Sequence, residues 1–176
     1  MESEQLTLVK PTADLKDAFL AMVADFDQAG EPRYARLRPL LESDFDAYIR
    51  HLENQSAGRN LADGLVPMSV FWLVRNDCDV VGVTHLRHRL NPSLEHEGGH
   101  IGYHIRPSAR RRGYATVLLS LAIERLRSFG WNRVLVTCNA ENVASARVIE
   151  KNGGKLAGQV ISNETGMLVS RYWIDF

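Results

Sequence analysis

An arginine- and glycine-rich turn is the part of the sequence best suited to bind an anion. It reads Arg110-Arg111-Arg112-Gly113-Tyr114-Ala115 and separates an apolar strand pattern from a strongly apolar helix pattern. The first backbone N–H groups of a helix have no partner inside it, and the helix dipole adds partial positive charge there. We therefore predict a phosphate or pyrophosphate site at this turn, built mainly from the backbone amides of residues 111–115.

Two common phosphate-binding motifs do not describe this turn, since the sequence has neither G-x-x-x-x-G-K-[ST] nor G-x-G-x-x-G. The pattern present is [QR]-x-x-G-x-[GA], filled by Arg110, Gly113 and Ala115. It resembles the acetyl-coenzyme A signature of the GNAT superfamily of N-acetyltransferases. The setting strengthens the resemblance, because an I-G-Y strand precedes the turn and a helix follows it.

A second motif about thirty residues later fits the same superfamily. Residues 142–154 read NVASARVIEKNGG and are similar to the family's N-x-x-[SA]…E-K-x-G segment. The two motifs and the strands around them cover roughly residues 68–160. The resemblance implies that acetyl-CoA lies in a slot between splayed central strands. The residues predicted to bind it are His104, Ile105, Arg106, Arg110, Arg111, Arg112, Gly113, Tyr114, Ala115, Asn139 and Asn142.

The catalytic residues are harder to assign, because the chain departs from its relatives. Many members carry a tyrosine seven residues after the motif asparagine, and this chain has Ile149 there. Ser145 is the candidate proton donor to the leaving thiolate, with a helix-capping or solvated serine as the alternative. His100 is the candidate base for the amine, with a hydrogen-bonded strand histidine as the alternative and His104 or Glu97 as substitutes.

Five of the six histidines lie between His85 and His104, a clustering that could indicate a metal site. His100 and His104 share a strand face but are ~13 Å apart at ~3.3 Å per residue, which one ion cannot span. We predict no metal.

Composition limits the remaining classes of function. The 176 residues suit one domain, 1–176, and the net charge is zero, with 21 basic and 21 acidic side chains. Binding to nucleic acid through the arginine run, or to a membrane, is therefore not expected. Two unpaired cysteines, and an N-terminus without an apolar leader, predict a soluble cytoplasmic protein. A homodimer is compatible with the sequence.

Hydrophobic periodicity predicts the elements that position these motifs. The expected fold is a single α+β (mixed α/β) domain. Its central sheet of about seven strands is mixed and mostly antiparallel, with helices on its flanks and splayed central strands. Residues 54–67 are expected to be a loop bordering the substrate, and 89–99 a long connection. Strands are predicted near 5–9, 68–75, 80–87, 101–105, 134–138, 156–161 and 167–173, with helices over 13–29, 45–52, 115–129 and 143–151.

The sequence thus predicts an N-acetyltransferase in which a primary amine of a small molecule or a protein N-terminus attacks acetyl-CoA directly. A non-catalytic CoA-binding sensor is the alternative, favoured by the missing tyrosine. The acceptor stays open among small amines, amino acids, antibiotics and protein N-termini.

Overall fold

A seven-stranded sheet forms the centre of the protein. The computed structural model describes residues 4–176. The strands follow the order β1-β2-β3-β4-β5-β7-β6, and all neighbours are antiparallel except β4 and β5. This confirms the predicted fold class. The strands are β1 (Leu6–Val9), β2 (Met68–Arg75), β3 (Asp79–Arg87), β4 (Ile101–Ile105), β5 (Arg133–Asn139), β6 (Lys155–Ile161) and β7 (Leu168–Asp175).

Six α-helices lie within residues 4–176 and pack around the sheet. Helix α1 is preceded by a 3₁₀ turn at Ala13–Leu15, and a second 3₁₀ turn at Pro107–Ala109 follows β4. The helices are α1 (Lys16–Gln28), α2 (Arg38–Ser43), α3 (Phe45–Ser56), α4 (Pro92–His96), α5 (Tyr114–Ser128) and α6 (Val143–Lys151).

The sheet has a separate apolar core on each face. On one face α1, α2 and α3 pack around Trp72, whose ring stacks on Phe19 at a centroid distance of 4.5 Å. On the other face α5 inserts Leu118, Leu119 and Leu126, all fully buried, against the central strands. Burying both faces fixes the central strands between two helical layers.

Among the strand pairs that the structure describes, β4 and β5 are the one parallel pair, and they are also the pair that separates. Strands β4 and β5 are in register at a single position, Ile101 opposite Val136, and separate beyond it. Two hydrogen bonds show which backbone groups of β4 are directed toward β3. They run from Arg87 N–H to the His100 carbonyl and from Arg106 N–H to the Val81 carbonyl. Backbone N–H groups alternate along a strand, so those of Tyr103 and Ile105 point toward the gap beside β5.

Two short helices replace segments predicted as loops. Helix α2 carries Pro39 and helix α4 begins at Pro92, and proline is tolerated in a first helical turn because its missing N–H has no partner to lose there. The buried stripe of α5 contains Leu119, Ile123 and Leu126, whereas Phe129, which follows the helix, is 50% exposed. No helix within residues 4–176 is long and apolar enough to cross a membrane.

Candidate active site

A cleft of about 580 Å³ opens where β4 and β5 separate. Its walls come from the end of β4, the first turn of α5, the first turn of α6 and the segment after α1. Predicted site residues in its lining are His104, Ile105, Arg110, Arg111, Gly113, Tyr114, Ala115, Asn142 and Ser145. The two sequence motifs, about thirty residues apart in the chain, therefore meet at one cleft.

The start of α5 presents a row of free amides to this cleft. Gly113 is the residue before the helix and adopts φ 84°, a left-handed conformation that favours glycine. Within residues 4–176, the backbone N–H groups of residues 111–115 have no hydrogen-bond acceptor, and α5 is 15 residues long. The arrangement can bind an anionic oxygen at the positive end of the helix dipole.

The arginine side chains of the turn differ in whether a carboxylate of the protein already pairs with them. Arg110 forms two hydrogen bonds to the carboxylate of Glu31, at 2.6 and 2.7 Å, and its Nε donates to the Ile105 carbonyl. The hydrogen bonds from Arg110 lower the pKa of Glu31. Arg111 is exposed, and no carboxylate in the described chain lies within 4.0 Å of it. Of the two arginines of this turn that line the cleft, Arg111 is therefore the one that can bind an added anion.

The side chains of Arg106 and Arg112 lie outside the cleft, which corrects the prediction for both guanidinium groups, although the backbone N–H of Arg112 belongs to the row of free amides. Arg106 is directed to the opposite side of the turn, where its guanidinium contacts Asp25 at 3.3 Å and Asp79 at 2.8 Å. Arg112 is exposed and borders the same small cavity as Arg106. The acidic partners of Arg106 are far away in sequence, so the arginine run alone could not reveal them.

Asn142 combines a structural position with access to the cleft. Its Oδ1 accepts a hydrogen bond from the Ser145 N–H at 3.0 Å, which caps α6. Asn142 itself lines the cleft. Asn139 does not: its Nδ2 lies 4.0 Å from the Met167 sulfur, and it borders a separate cleft.

A pair of hydroxyl groups connects β4 to α6. The Tyr103 Oη lies 2.7 Å from the Ser145 Oγ, and both residues line the cleft. Burial raises the pKa of Tyr103 to about 12, so its hydroxyl stays protonated at neutral pH. Ile149, which replaces the expected tyrosine, is fully buried in the core beneath α6 and is absent from the cleft lining. The pair can supply a proton where Ile149 cannot.

His104 is the histidine of the cleft. Its Nε2 lies 2.7 Å from the Tyr34 hydroxyl, and its ring meets Phe26 edge-on. Burial lowers the pKa of His104 well below its usual value, and the neighbouring cations Arg33 and Arg110 act in the same direction. His104 is therefore neutral at pH 7, and one of its ring nitrogens can accept a proton.

His100 occupies a different environment, and its predicted role as the base is not supported. The residue is 3% exposed, and its ring packs against Trp131 and Trp173. Its Nδ1 accepts a hydrogen bond from the Leu135 N–H at 2.9 Å, and burial lowers its pKa to about 4. These contacts match the alternative interpretation of a structural strand histidine.

Sequence reasoning missed three residues of the site. Tyr103 is the tyrosine of the I-G-Y strand and was treated only as part of the apolar face. Glu31 and Arg33 belong to a segment outside both motifs, and only the fold brings them to the cleft. Among residues 4–176 no group of three or more His, Cys, Asp or Glu side chains is arranged to hold a metal ion.

Solved structures of acetyltransferases share this fold. Mycobacterium smegmatis RimJ in complex with CoA-disulfide superposes with a TM-score of 0.72 at 16% identity, covering 97% of this chain and 81% of that one. Microcin C7 self immunity acetyltransferase MccE, in complex with acetyl-CoA and AMP, gives a TM-score of 0.68 at 14% identity, with coverages of 98% and 93%. The ribosomal L7/L12 alpha-N-protein acetyltransferase RimL, in complex with coenzyme A, gives a TM-score of 0.64 at 17% identity. The superposition covers 97% of this chain and 94% of that one.

Sequence comparison identifies the family directly. No curated protein sequence matches the chain at a significant level. The family model described as "Acetyltransferase (GNAT) domain" matches residues 5–155, which include the cleft, both motifs and most of the sheet. The chain belongs to the GNAT acetyltransferase family.

Proposed function

We propose that the protein transfers an acetyl group from acetyl-CoA to a primary amine by direct attack. The observation that carries this proposal is the meeting of two features in one cleft. Unpartnered amides at the start of α5 suit the pyrophosphate of the coenzyme, and the gap between β4 and β5 suits its acyl-bearing arm. Coenzyme A or acetyl-CoA in the related structures supports the same donor.

In the proposed reaction the amine nitrogen bonds to the thioester carbonyl carbon as the C–S bond breaks. The nitrogen loses a proton to His104, and the thiolate takes one from the Ser145 hydroxyl, which is replenished by Tyr103. His104 and Tyr103 then exchange protons with solvent, so the products are the acetamide and the free thiol of CoA. The N–H groups of Tyr103 and Ile105, directed into the gap, can hydrogen-bond the oxyanion.

Asn142 and Arg111 complete the proposed donor site. Asn142 keeps its side-chain amide nitrogen free of partners within residues 4–176 and can contact the pantetheine arm. Arg111 can pair with a phosphate. Cys78 and Cys138 are both free, which fits action in the reducing cytoplasm.

A turnover assay separates this proposal from a CoA-binding sensor. Release of CoA thiol from acetyl-CoA is measured with a mixed panel of primary amines, and the products are weighed by mass spectrometry. The proposal expects amine-dependent thiol release with a matching acetylated product. Tight CoA binding without any transfer would support the CoA-binding sensor. That alternative rests on the replacement of the motif tyrosine by the buried Ile149.

A further inference from the structure

A second cleft, of about 620 Å³, lies beside strand β5 and the loop before β4. It is bordered by Arg87 of β3, Thr137 and Asn139 of β5, and the turn between β6 and β7. None of its lining residues belongs to the first cleft. The second cleft is therefore separate from the surface proposed for acetyl-CoA.

Arg87 is a partly buried cation without a counterion. Its Nη1 donates to the Gly98 and Gly99 carbonyls, at 2.9 and 3.0 Å, which fixes the guanidinium above the loop before β4. No carboxylate among residues 4–176 lies within 4.0 Å of it, and its Nε and Nη2 have no partner yet are not sealed from solvent. Burial lowers the pKa of Arg87, a cost that a bound anion would offset.

A row of side chains links this cation to the first cleft. In the antiparallel ladder of β3 and β4, Val83 lies opposite His104 and His85 lies opposite Gly102. The next step of the ladder is the hydrogen bond from Arg87 N–H to the His100 carbonyl. His85, Gly102 and His104 share one face of the sheet. A Cβ placed on Gly102 would lie 4.0 Å from both Arg87 Nη1 and His85 Cβ, so the glycine leaves room for a methyl-sized group in van der Waals contact with both.

His85 and His104 form the other end of the row. Their ring centroids are 5.9 Å apart, and neither nitrogen of His85 has a partner in the described chain. Burial lowers the pKa of His85 to about 4, with Arg87 and Arg33 adding to the effect. The row therefore offers a neutral imidazole pair to an amine at one end and a fixed cation to a carboxylate at the other.

The acidic residues of the second cleft do not neutralise Arg87. Glu97 accepts a hydrogen bond from the Asn163 N–H at 2.9 Å, and a hydrogen bond from Ser162 lowers its pKa. Glu164 is exposed in the turn between β6 and β7. Both are more than 4.0 Å from the guanidinium.

We propose that the acetyl acceptor is a free amino acid, whose carboxylate binds Arg87 while its amine lies beside His85 and His104. This inference rests on the proposed acetyl transfer and adds the substrate class. A guanidinium with two free donors can form a bidentate pair with a carboxylate, whereas a carboxamide offers it no charge.

The test uses standard amino acids, each paired with its own carboxamide. Acetyl transfer is followed by thiol release and product mass, and binding to the CoA-saturated protein by the shift in melting temperature. We expect at least one amino acid to exceed its amide tenfold or more in kcat/KM. Arg87→Gln should reduce that ratio to about one, Arg87→Lys should leave an intermediate ratio, and the exposed Arg89→Gln should keep the wild-type ratio.

If Arg87 only held the loop before β4 in place, Arg87→Gln would not change the ratio of kcat/KM between amino acid and amide. The lost stability would affect the reaction of both acceptors equally. Three results would each overturn the inference. They are a kcat/KM for the amides that equals or exceeds that for the amino acids, a ratio that is unchanged in Arg87→Gln, and no binding or acetylation of any amino acid. If other amines are then acetylated, the proposed transfer stands without it. Failure of CoA itself to bind would overturn both.

Discussion

The hydroxyl oxygens of Tyr103 and Ser145 lie 2.7 Å apart and join β4 to α6 across the cleft. Strand β4 and helix α6 are therefore connected by a hydrogen bond between side chains that line the cleft. In the proposed reaction the thiolate leaves beside this hydrogen bond. Ser145 also donates its backbone N–H to Asn142, so the capping of α6 fixes the position of the serine hydroxyl. The proton donor of this chain is accordingly expected on β4 and α6 together.

Removing either hydroxyl should slow the chemical step. We expect Tyr103→Phe and Ser145→Ala each to lower kcat roughly tenfold to a hundredfold, with a change of less than about threefold in the KM for acetyl-CoA. Because the two groups act in one chain, the double variant should lose little more than either single variant. Ser128→Ala, at the far end of α5, is the control. Additive losses in kcat would show that the two hydroxyls act separately.

Arg106 should stabilise the fold and not the cofactor complex. Its guanidinium is 17% exposed and holds Asp25 and Asp79 together, so Arg106→Gln should reduce the free energy of unfolding by about 2 kcal/mol. Urea titration measures this, and Arg112→Gln, an exposed neighbour, should change it by less than about 0.5 kcal/mol. The CoA affinity of folded Arg106→Gln protein should stay within about twofold of wild type. A large loss of affinity would return Arg106 to the cofactor site.

The two histidines of β4 should differ in the pH dependence of turnover. A base must be unprotonated to act, so kcat/KM should fall on the acidic side as His104 gains a proton, at a pH below its usual pKa of ~6.5. His104→Gln should lose this acidic limb and at least tenfold of the rate. His100→Gln should retain the limb, if the protein stays folded. The reverse pattern would restore His100 as the base.

Buried neutral histidines should make the protein sensitive to acid. The pKa values of His85 and His100 are both about 4 in the folded state, and an unfolded histidine has a pKa of ~6.5. Between these values the unfolded chain binds more protons, so stability falls as the pH drops. Each histidine should cost about 1–2 kcal/mol between pH 7 and pH 5. Equal urea midpoints at the two pH values would contradict this, and the exposed His51→Gln should leave the loss unchanged.

Local signals predicted the fold and the anion-binding turn well, because Gly113 and Asn142 act through their own neighbours in the chain. The family resemblance also suggested the gap beside Ile105. The side-chain contacts were not predictable, since Arg106, Arg110 and His104 are paired with residues 70 or more positions away on α1 or the segment after it. Helices α2 and α4 were missed because each has a proline in its first turn, which resembles a loop signal.

Calorimetry with CoA on two matched glycine variants tests whether the acetyl donor binds at the start of α5. Gly113 and Gly130 stand before and after α5 with φ values of 84° and 89°, and a Cβ on either would meet nothing within 4 Å. Gly113→Asp and Gly130→Asp therefore add the same strain and charge at opposite ends of one helix. We predict that wild type and Gly130→Asp bind CoA with similar affinity, whereas folded Gly113→Asp loses it by at least a hundredfold. Equal binding by both variants, or none by wild type, would contradict an acetyl-donor site at the start of α5.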